Sequence, residues 1–169
     1  MAPETQLLGS EALAVLARGP DVVQEVTGCS IDRMDEVRVA LETLRDLPDA
    51  ELDRLCRRHQ VRVLTVFGSA TDASMPAPQD LDIGVVFEPG SGHDVLGLFE
   101  TLVAALGTER LDILNAERAS ETARYRAIAE GEPLYESEPT AFANAYAAAV
   151  MLYLDTARFR HEALAHPGP

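Results

Sequence analysis

The chain has 169 residues, 47% of them hydrophobic, and a formal net charge of -14. That is enough apolar material for one domain with a real core, and the acidic balance excludes a nucleic acid or an anionic membrane surface held by bulk charge. All basic residues are arginine, so a lysine-dependent phosphate loop and Schiff-base chemistry are excluded as well.

The first third reads as helical, with breaks at Gly19-Pro20, near Gly28 and at Pro48. Ser10 is a candidate cap for one helix. Ser30 or Asp32 is a candidate cap for another, carrying Met34, Val37, Ala40, Leu41 and Leu44 on one face, and Asp49 for a third carrying Leu52, Leu55 and Cys56. Val61 to Phe67 is a β-branched, apolar run that reads as a strand and stops at Gly68. A second strand is predicted from Asp80 to Phe87. Its alternation puts Leu81, Ile83, Val85 and Phe87 on a core face and Asp80, Asp82, Gly84 and Val86 on the other. A turn at Pro89-Gly90-Ser91-Gly92 precedes a helix from His93 to Leu106, and a short strand follows at Arg110 to Leu114. Ser120 caps a helix reaching Glu130, Leu134-Tyr135 forms a small extended piece, and a long helix runs from Thr140 to about Ala165. Its face Phe142, Tyr146, Ala149, Val150, Tyr153 and Ala157 is assigned to the core, with a partner surface as the alternative.

Chemistry concentrates in the pattern Gly68-Ser69-x10-Asp80-x-Asp82, with a further carboxylate at Asp112 inside the third strand. Acids at i and i+2 of a strand share a face, and such a pair is costly without a positive partner. A Gly-Ser bend lets backbone amides approach a phosphate closely. Carboxylate oxygens completed by phosphates and water are what Mg²⁺ prefers. Acids far outnumber the one base, Arg110, between Val63 and Glu117, so a triphosphate needs divalent cations there, or Arg118, Arg124 and Arg126 from the following segment. The competing reading of Asp80 and Asp82 is a turn or helix cap at a strand edge; their conjunction with the Gly-Ser bend and Asp112 favours a site. Cys29 and Cys56 fit no disulfide framework or zinc pattern. His59 and His93 are assigned solvated or capping roles. No leader or membrane span is evident, so a cytoplasmic location is expected.

These residues resemble the minimal nucleotidyltransferase family of the polymerase-β-like superfamily. The likeness runs from about Glu51 to Phe159, through Leu111-Asp112-Ile113-Leu114-Asn115, the segment Ile128 to Tyr135, and Tyr153-Leu154-Asp155. It is greatest to the adenylyltransferase antitoxins paired with HEPN-domain toxins. The resemblance implies an α+β fold: a mixed sheet flanked by helices over residues 47–165, with a helical N-terminal extension over 1–46. It also implies Mg²⁺ as cofactor, ATP as substrate, and transfer of AMP to a hydroxyl of a protein partner, a HEPN toxin. Carried over by residue, Gly68 and Ser69 bind the nucleotide phosphates, Asp80, Asp82 and Asp112 bind metal, and Asp112 helps deprotonate the acceptor. The chain departs from the family where Thr71-Asp72-Ala73 stands in place of Ala-Arg-Gly, and where Gln79 replaces a serine before the first acid. Two alternatives therefore stay open: an inactive module that neutralises its partner by binding, and a small-molecule enzyme of the aminoglycoside-modifying type. Oligomeric state is left open.

Overall fold

The computed structural model describes residues 33–72, 74 and 78–165. The chain divides between Ile31 and Asp32, and every described residue belongs to the second unit. The readings at Ser10, Gly19-Pro20, Gly28, Cys29, Ser30 and Asp32 lie outside the described residues.

The described unit is α+β. Its elements are α1 (Arg33–Arg45), α2 (Asp49–Arg58), β1 (Val61–Phe67), β2 (Leu81–Phe87), α3 (Val95–Leu106), β3 (Leu111–Asn115), α4 (Glu121–Arg124), β4 (Glu132–Glu136), α5 (Ala141–Asp155) and α6 (Ala157–Ala165). The four strands form one mixed sheet in the order β3-β2-β1-β4. β1 runs antiparallel to both β2 and β4, and β2 runs parallel to β3. Pro133 sits in β4, an edge strand, where a missing amide donor is tolerated.

Two apolar layers sandwich the sheet. On one face Leu64, Val66, Leu81, Ile83, Val85 and Phe87 meet Val37, Leu41 and Leu44 of α1 and Leu98, Leu102 and Leu106 of α3. The i, i+4, i+8 spacing of the α3 leucines is the inward stripe its sequence predicts. The α1 helix, placed by sequence in an extension ending at residue 46, buries Val37 and Leu44 completely in this same cluster.

On the other face the cover is smaller. Ala127 and Ile128 pack with Ala116 and Ala149, joined by Phe67, Val86 and Leu114. The helix begun by Ser120, whose hydroxyl accepts from Ala123 N, does not stay α-helical to Glu130 but widens into a π-helical turn over Tyr125–Ala129. That turn is held against the sheet by Thr65, a fully buried residue whose hydroxyl donates to the Ala127 carbonyl at 2.7 Å. Two glycines admit it: a Cβ on Gly84 would lie 2.5 Å from Thr65 Oγ1, and one on Gly131 would lie 2.2 Å from the Ala127 oxygen. Replacing Thr65 by valine keeps the shape but leaves that carbonyl without its donor. The expected loss is about 1–3 kcal/mol of unfolding free energy, read from urea denaturation.

The C-terminal helix departs from prediction in two ways. It is two helices meeting at Thr156, whose hydroxyl and amide both donate to Leu152 O, at 2.9 and 3.2 Å, while Arg160 donates to Tyr153 O at 2.6 Å. The helix starts at Thr140 as predicted; that residue stands at φ 79°, and Glu136 accepts from the Phe142 amide. Finally, α5 packs through its small residues: Ala141 and Ala149 are buried, Phe142, Val150 and Tyr153 are half-buried, and Tyr146 is exposed. Asp49 does not cap α2; Pro48 occupies that position and its carbonyl accepts from Glu51 N and Leu52 N. Among the described residues, no helix is long and apolar enough to cross a membrane.

Candidate active site

The site is built at the end of the sheet where β1 finishes and β2 and β3 begin. Phe67 pairs with Asp82 across the antiparallel ladder, and Asp82 pairs with Asp112 across the parallel one. Directly opposed residues of neighbouring strands point to the same face, so Asp82 and Asp112 stand side by side. Asp82 is half-buried, and Asp112, on an edge strand, is exposed.

Asp80, predicted as the first residue of the strand and on the face of Asp82, lies one residue before β2 begins. The first rung of β2 is the Leu81 amide donating to the Arg110 carbonyl at 2.9 Å, and the Arg110 guanidinium fixes the preceding bend by donating to Gln79 O at 3.0 Å. Asp80 is therefore an exposed bend residue, yet its charge reaches the pair. The Asp82 carboxyl is pushed above its ordinary range, first by burial, then by Asp112, then by Asp80. All three acids thus contribute to one negative field.

Gly68 and Ser69 open a single 3-10 turn, Gly68–Ala70, at the end of β1. Gly68 holds φ +76°, and a Cβ built there would lie 2.1 Å from Asp82 Oδ2. The glycine is thus required twice, by its left-handed backbone and by the carboxylate lying against it. Thr71 closes the turn, its hydroxyl donating to Gly68 O at 2.9 Å. Asp72, standing where the resembled family carries arginine, is engaged locally: it accepts from Ser74 N at 2.8 Å and from Ser74 Oγ at 2.7 Å, bonds that hold its pKa below the usual carboxylate value.

Several other sequence assignments change. Arg124, a candidate for the triphosphate by sequence, is engaged by the backbone. It donates to the backbone carbonyls of Ala116 and Glu117, tying α4 to the end of β3. His59 is not solvated: its Nε2 sits 2.8 Å from Thr101 Oγ1, and burial lowers its pKa despite the nearby Asp94. His93 stacks on Phe87 with ring centroids 5.0 Å apart and its Nδ1 accepts from Asn115 Nδ2 at 3.0 Å, so it closes a turn. The supporting residues Thr65, Gly84 and Gly131 carry only one sequence signal, glycine within or beside a strand, which marks close backbone approach.

Among the described residues, no group of three or more His, Cys, Asp or Glu side chains is arranged to hold a metal ion by itself. Mg²⁺ commonly takes one or two carboxylates and completes its shell with substrate phosphates and water. The hard oxygen donors of Asp82 and Asp112, with Asp80 beside them, fit that partial set in chemistry.

The profile described as polymerase beta, nucleotidyltransferase matches residues 50–140. No curated relative matches the chain. Among solved structures, a chain of a toxin–antitoxin complex with AMP-PNP superposes with a TM-score of 0.56 at 17% identity, covering 70% of this chain and 96% of its own. A chain from a tri-AMPylated Shewanella oneidensis HEPN toxin in complex with MNT antitoxin gives 0.54 at 16%, covering 74% and 95%. A chain of a mutant MntA-HpeT toxin–antitoxin complex gives 0.55 at 16%, covering 70% and 96%. At such identities the likeness is one of fold, whereas the profile spans more than half of the sequence and includes the glycine-serine turn and all three acids: the chain belongs to the polymerase β nucleotidyltransferase family.

Proposed function

We propose that this protein transfers AMP from ATP to a hydroxyl of a protein partner, a HEPN-type toxin, and so acts as its antitoxin. The observation that carries the reading is the in-register pair Asp82–Asp112 with the Gly68 turn packed against Asp82. The fold shared with chains of toxin–antitoxin complexes supports the choice of partner.

In this reading the backbone of Gly68 and Ser69 holds the phosphates. Asp80, Asp82 and Asp112 would hold Mg²⁺, which when bound neutralises charge on the triphosphate and the acids. The acceptor oxygen bonds to the α-phosphorus as the bond to the bridging oxygen breaks, and pyrophosphate leaves. The hydroxyl proton passes to Asp112, whose exposed position on an edge strand leaves it open to a protein acceptor. The rate then comes mainly from positioning and charge neutralisation.

Asp72 favours a second reading, because the turn next to Gly68 carries a carboxylate and not a guanidinium. A module that binds the partner without modifying it is expected to form the complex with no dependence on nucleotide. The deciding experiment incubates the protein with α-labelled ATP, Mg²⁺ and the product of the neighbouring gene. Label on that product is the expected result. A stable complex with no label, unchanged by Asp80→Ala, establishes occlusion instead.

A further inference from the structure

Asp80 is the acid whose placement the sheet ladder does not provide. Between the buried Pro78 and the buried Leu81, Gln79 and Asp80 form an exposed bend ahead of β2. Arg110 grips that bend on both sides of the acid. Its Nη1 donates to Gln79 O at 3.0 Å, and its main-chain carbonyl accepts from the Leu81 amide at 2.9 Å. One residue thus holds the positions before and after Asp80, and it stands two places before Asp112 in the chain.

The guanidinium is itself aimed. Its Nε lies 3.7 Å from Glu36 Oε2 on α1, and the other oxygen of that carboxylate accepts from the Thr108 hydroxyl. Thr108 is buried, and its hydroxyl oxygen accepts from the Arg110 amide at 3.1 Å. Glu36 lies outside residues 50–140, the stretch that the family profile spans, so α1 brings to this end of the sheet a contact the profile does not include. Arg110 is also the one base between Val63 and Glu117, among a large excess of acids. An arginine in such surroundings is expected to neutralise a carboxylate of the site. Among the described residues it forms an ion pair with neither Asp80 nor Asp112; it spends its donors on a carbonyl and faces Glu36, and so does not compete with a cation for the site acids.

We propose that Arg110 is a positioning residue: by clasping Gln79 and Leu81 it fixes Asp80 beside Asp82 for Mg²⁺, and Glu36 holds the guanidinium in the geometry that does so. The inference rests on the nucleotide-transfer reading above. It carries a sign that charge alone does not give. A guanidinium acting only as a nearby positive charge repels Mg²⁺, so its removal would tighten metal binding. A residue that orders a metal-binding carboxylate loosens metal binding when it is lost.

The test uses the full chain and Mg²⁺ alone as the probe, with Arg110→Met and Glu36→Gln beside the parent. Methionine keeps the apolar stem and loses every donor, whereas Glu36→Gln keeps an acceptor for Thr108 and loses the charge facing Arg110. NMR relaxation in chelator reads backbone order at Gln79 and Asp80, and the Asp82 and Asp112 amide shifts read the Mg²⁺ concentration at half-saturation. The Mg²⁺ dependence of AMP transfer is measured in parallel. In Arg110→Met, order at both bend residues should fall and half-saturation should need about tenfold more Mg²⁺ or beyond, the scale on which outer-shell partners act. Transfer at saturating Mg²⁺ should stay near the parent's. Glu36→Gln should move the same readings in the same direction by less, and decides the matter if Arg110→Met fails to fold. Unchanged order at the bend, or Mg²⁺ bound as tightly as by the parent or more tightly, would overturn the proposal. A parent chain whose amides ignore Mg²⁺ brings down the nucleotide-transfer reading and this inference with it, whereas a responsive parent matched by its variants brings down this inference only.

Discussion

Replacing Asp82 by asparagine is expected to lower AMP transfer by about three orders of magnitude, ~4 kcal/mol of transition-state stabilisation, while the metal-free protein becomes more stable. The first effect follows from position. Asp82 is the central acid: it is paired in register with Asp112, influenced by the charge of Asp80, and in contact with the Gly68 turn. Asparagine keeps the shape and one oxygen but cannot supply the negative charge that holds a cation. The second effect follows from the cost of that charge. Burial, Asp112 and Asp80 all raise the Asp82 pKa, so the native state keeps its proton to higher pH than the unfolded chain does. Stability is therefore greatest below the ordinary carboxylate range and falls as pH rises through the raised native value. The penalty is fully present at neutral pH, and the asparagine variant lacks it. Label transfer to the partner checks the activity, and thermal melts in chelator from acid to neutral pH check the stability. Adding Mg²⁺ should stabilise the parent chain and leave Asp82→Asn unmoved. Transfer within tenfold of the parent would remove Asp82 from the site.

Gly68→Ala separates the backbone from the chemistry. At φ +76° an alanine sits in the left-handed region, at a cost of about 1–3 kcal/mol, and its Cβ would fall 2.1 Å from Asp82 Oδ2. The clash is with the end of a side chain, so the fold yields by rotating the carboxylate, not by breaking the sheet. Stability should fall modestly, while transfer falls about a hundredfold, a displacement of the order of 1 Å in a positioned group being sufficient for that. Gly68→Asn is the informative companion. Asparagine tolerates the left-handed backbone better and should recover part of the stability, but it still carries a Cβ and should recover no activity. If asparagine restores transfer, the glycine serves only the turn, and the contact with Asp82 is incidental.

The elements that sequence reading placed well are those held by local rules. The alternation in β2, the run of β1 ending at Gly68 and the leucine stripe of α3 each report burial within one strand or helix. The readings that failed depend on neighbours distant in sequence. Arg124 looked free for a phosphate because nothing near it in sequence shows that two carbonyls after β3 lie within its reach. His59 read as solvated or capping; it does stand at the C-terminal cap of α2, but the ring's partner, Thr101, is on α3. The C-terminal helix looked continuous because helical periodicity is unaffected by a threonine that turns back on its own carbonyls. Gly84 appeared only as a small residue on the acidic face, whereas it is the opening through which the π-helical turn reaches Thr65.

From the sequence by itself came the residue types and their short-range phase: a tight glycine-serine bend after one strand, an acid on the outer face of the next, and a further acid in a third. Which acids meet was decided by tertiary structure, through the parallel register that sets Asp112 beside Asp82. Side chains alternate every residue along a strand, so a slip of one position between β2 and β3 would turn Asp112 to the opposite face. Leu111 and Ile113, on either side of Asp112, belong to the core that includes the α3 leucines, and the slip would turn them out of it.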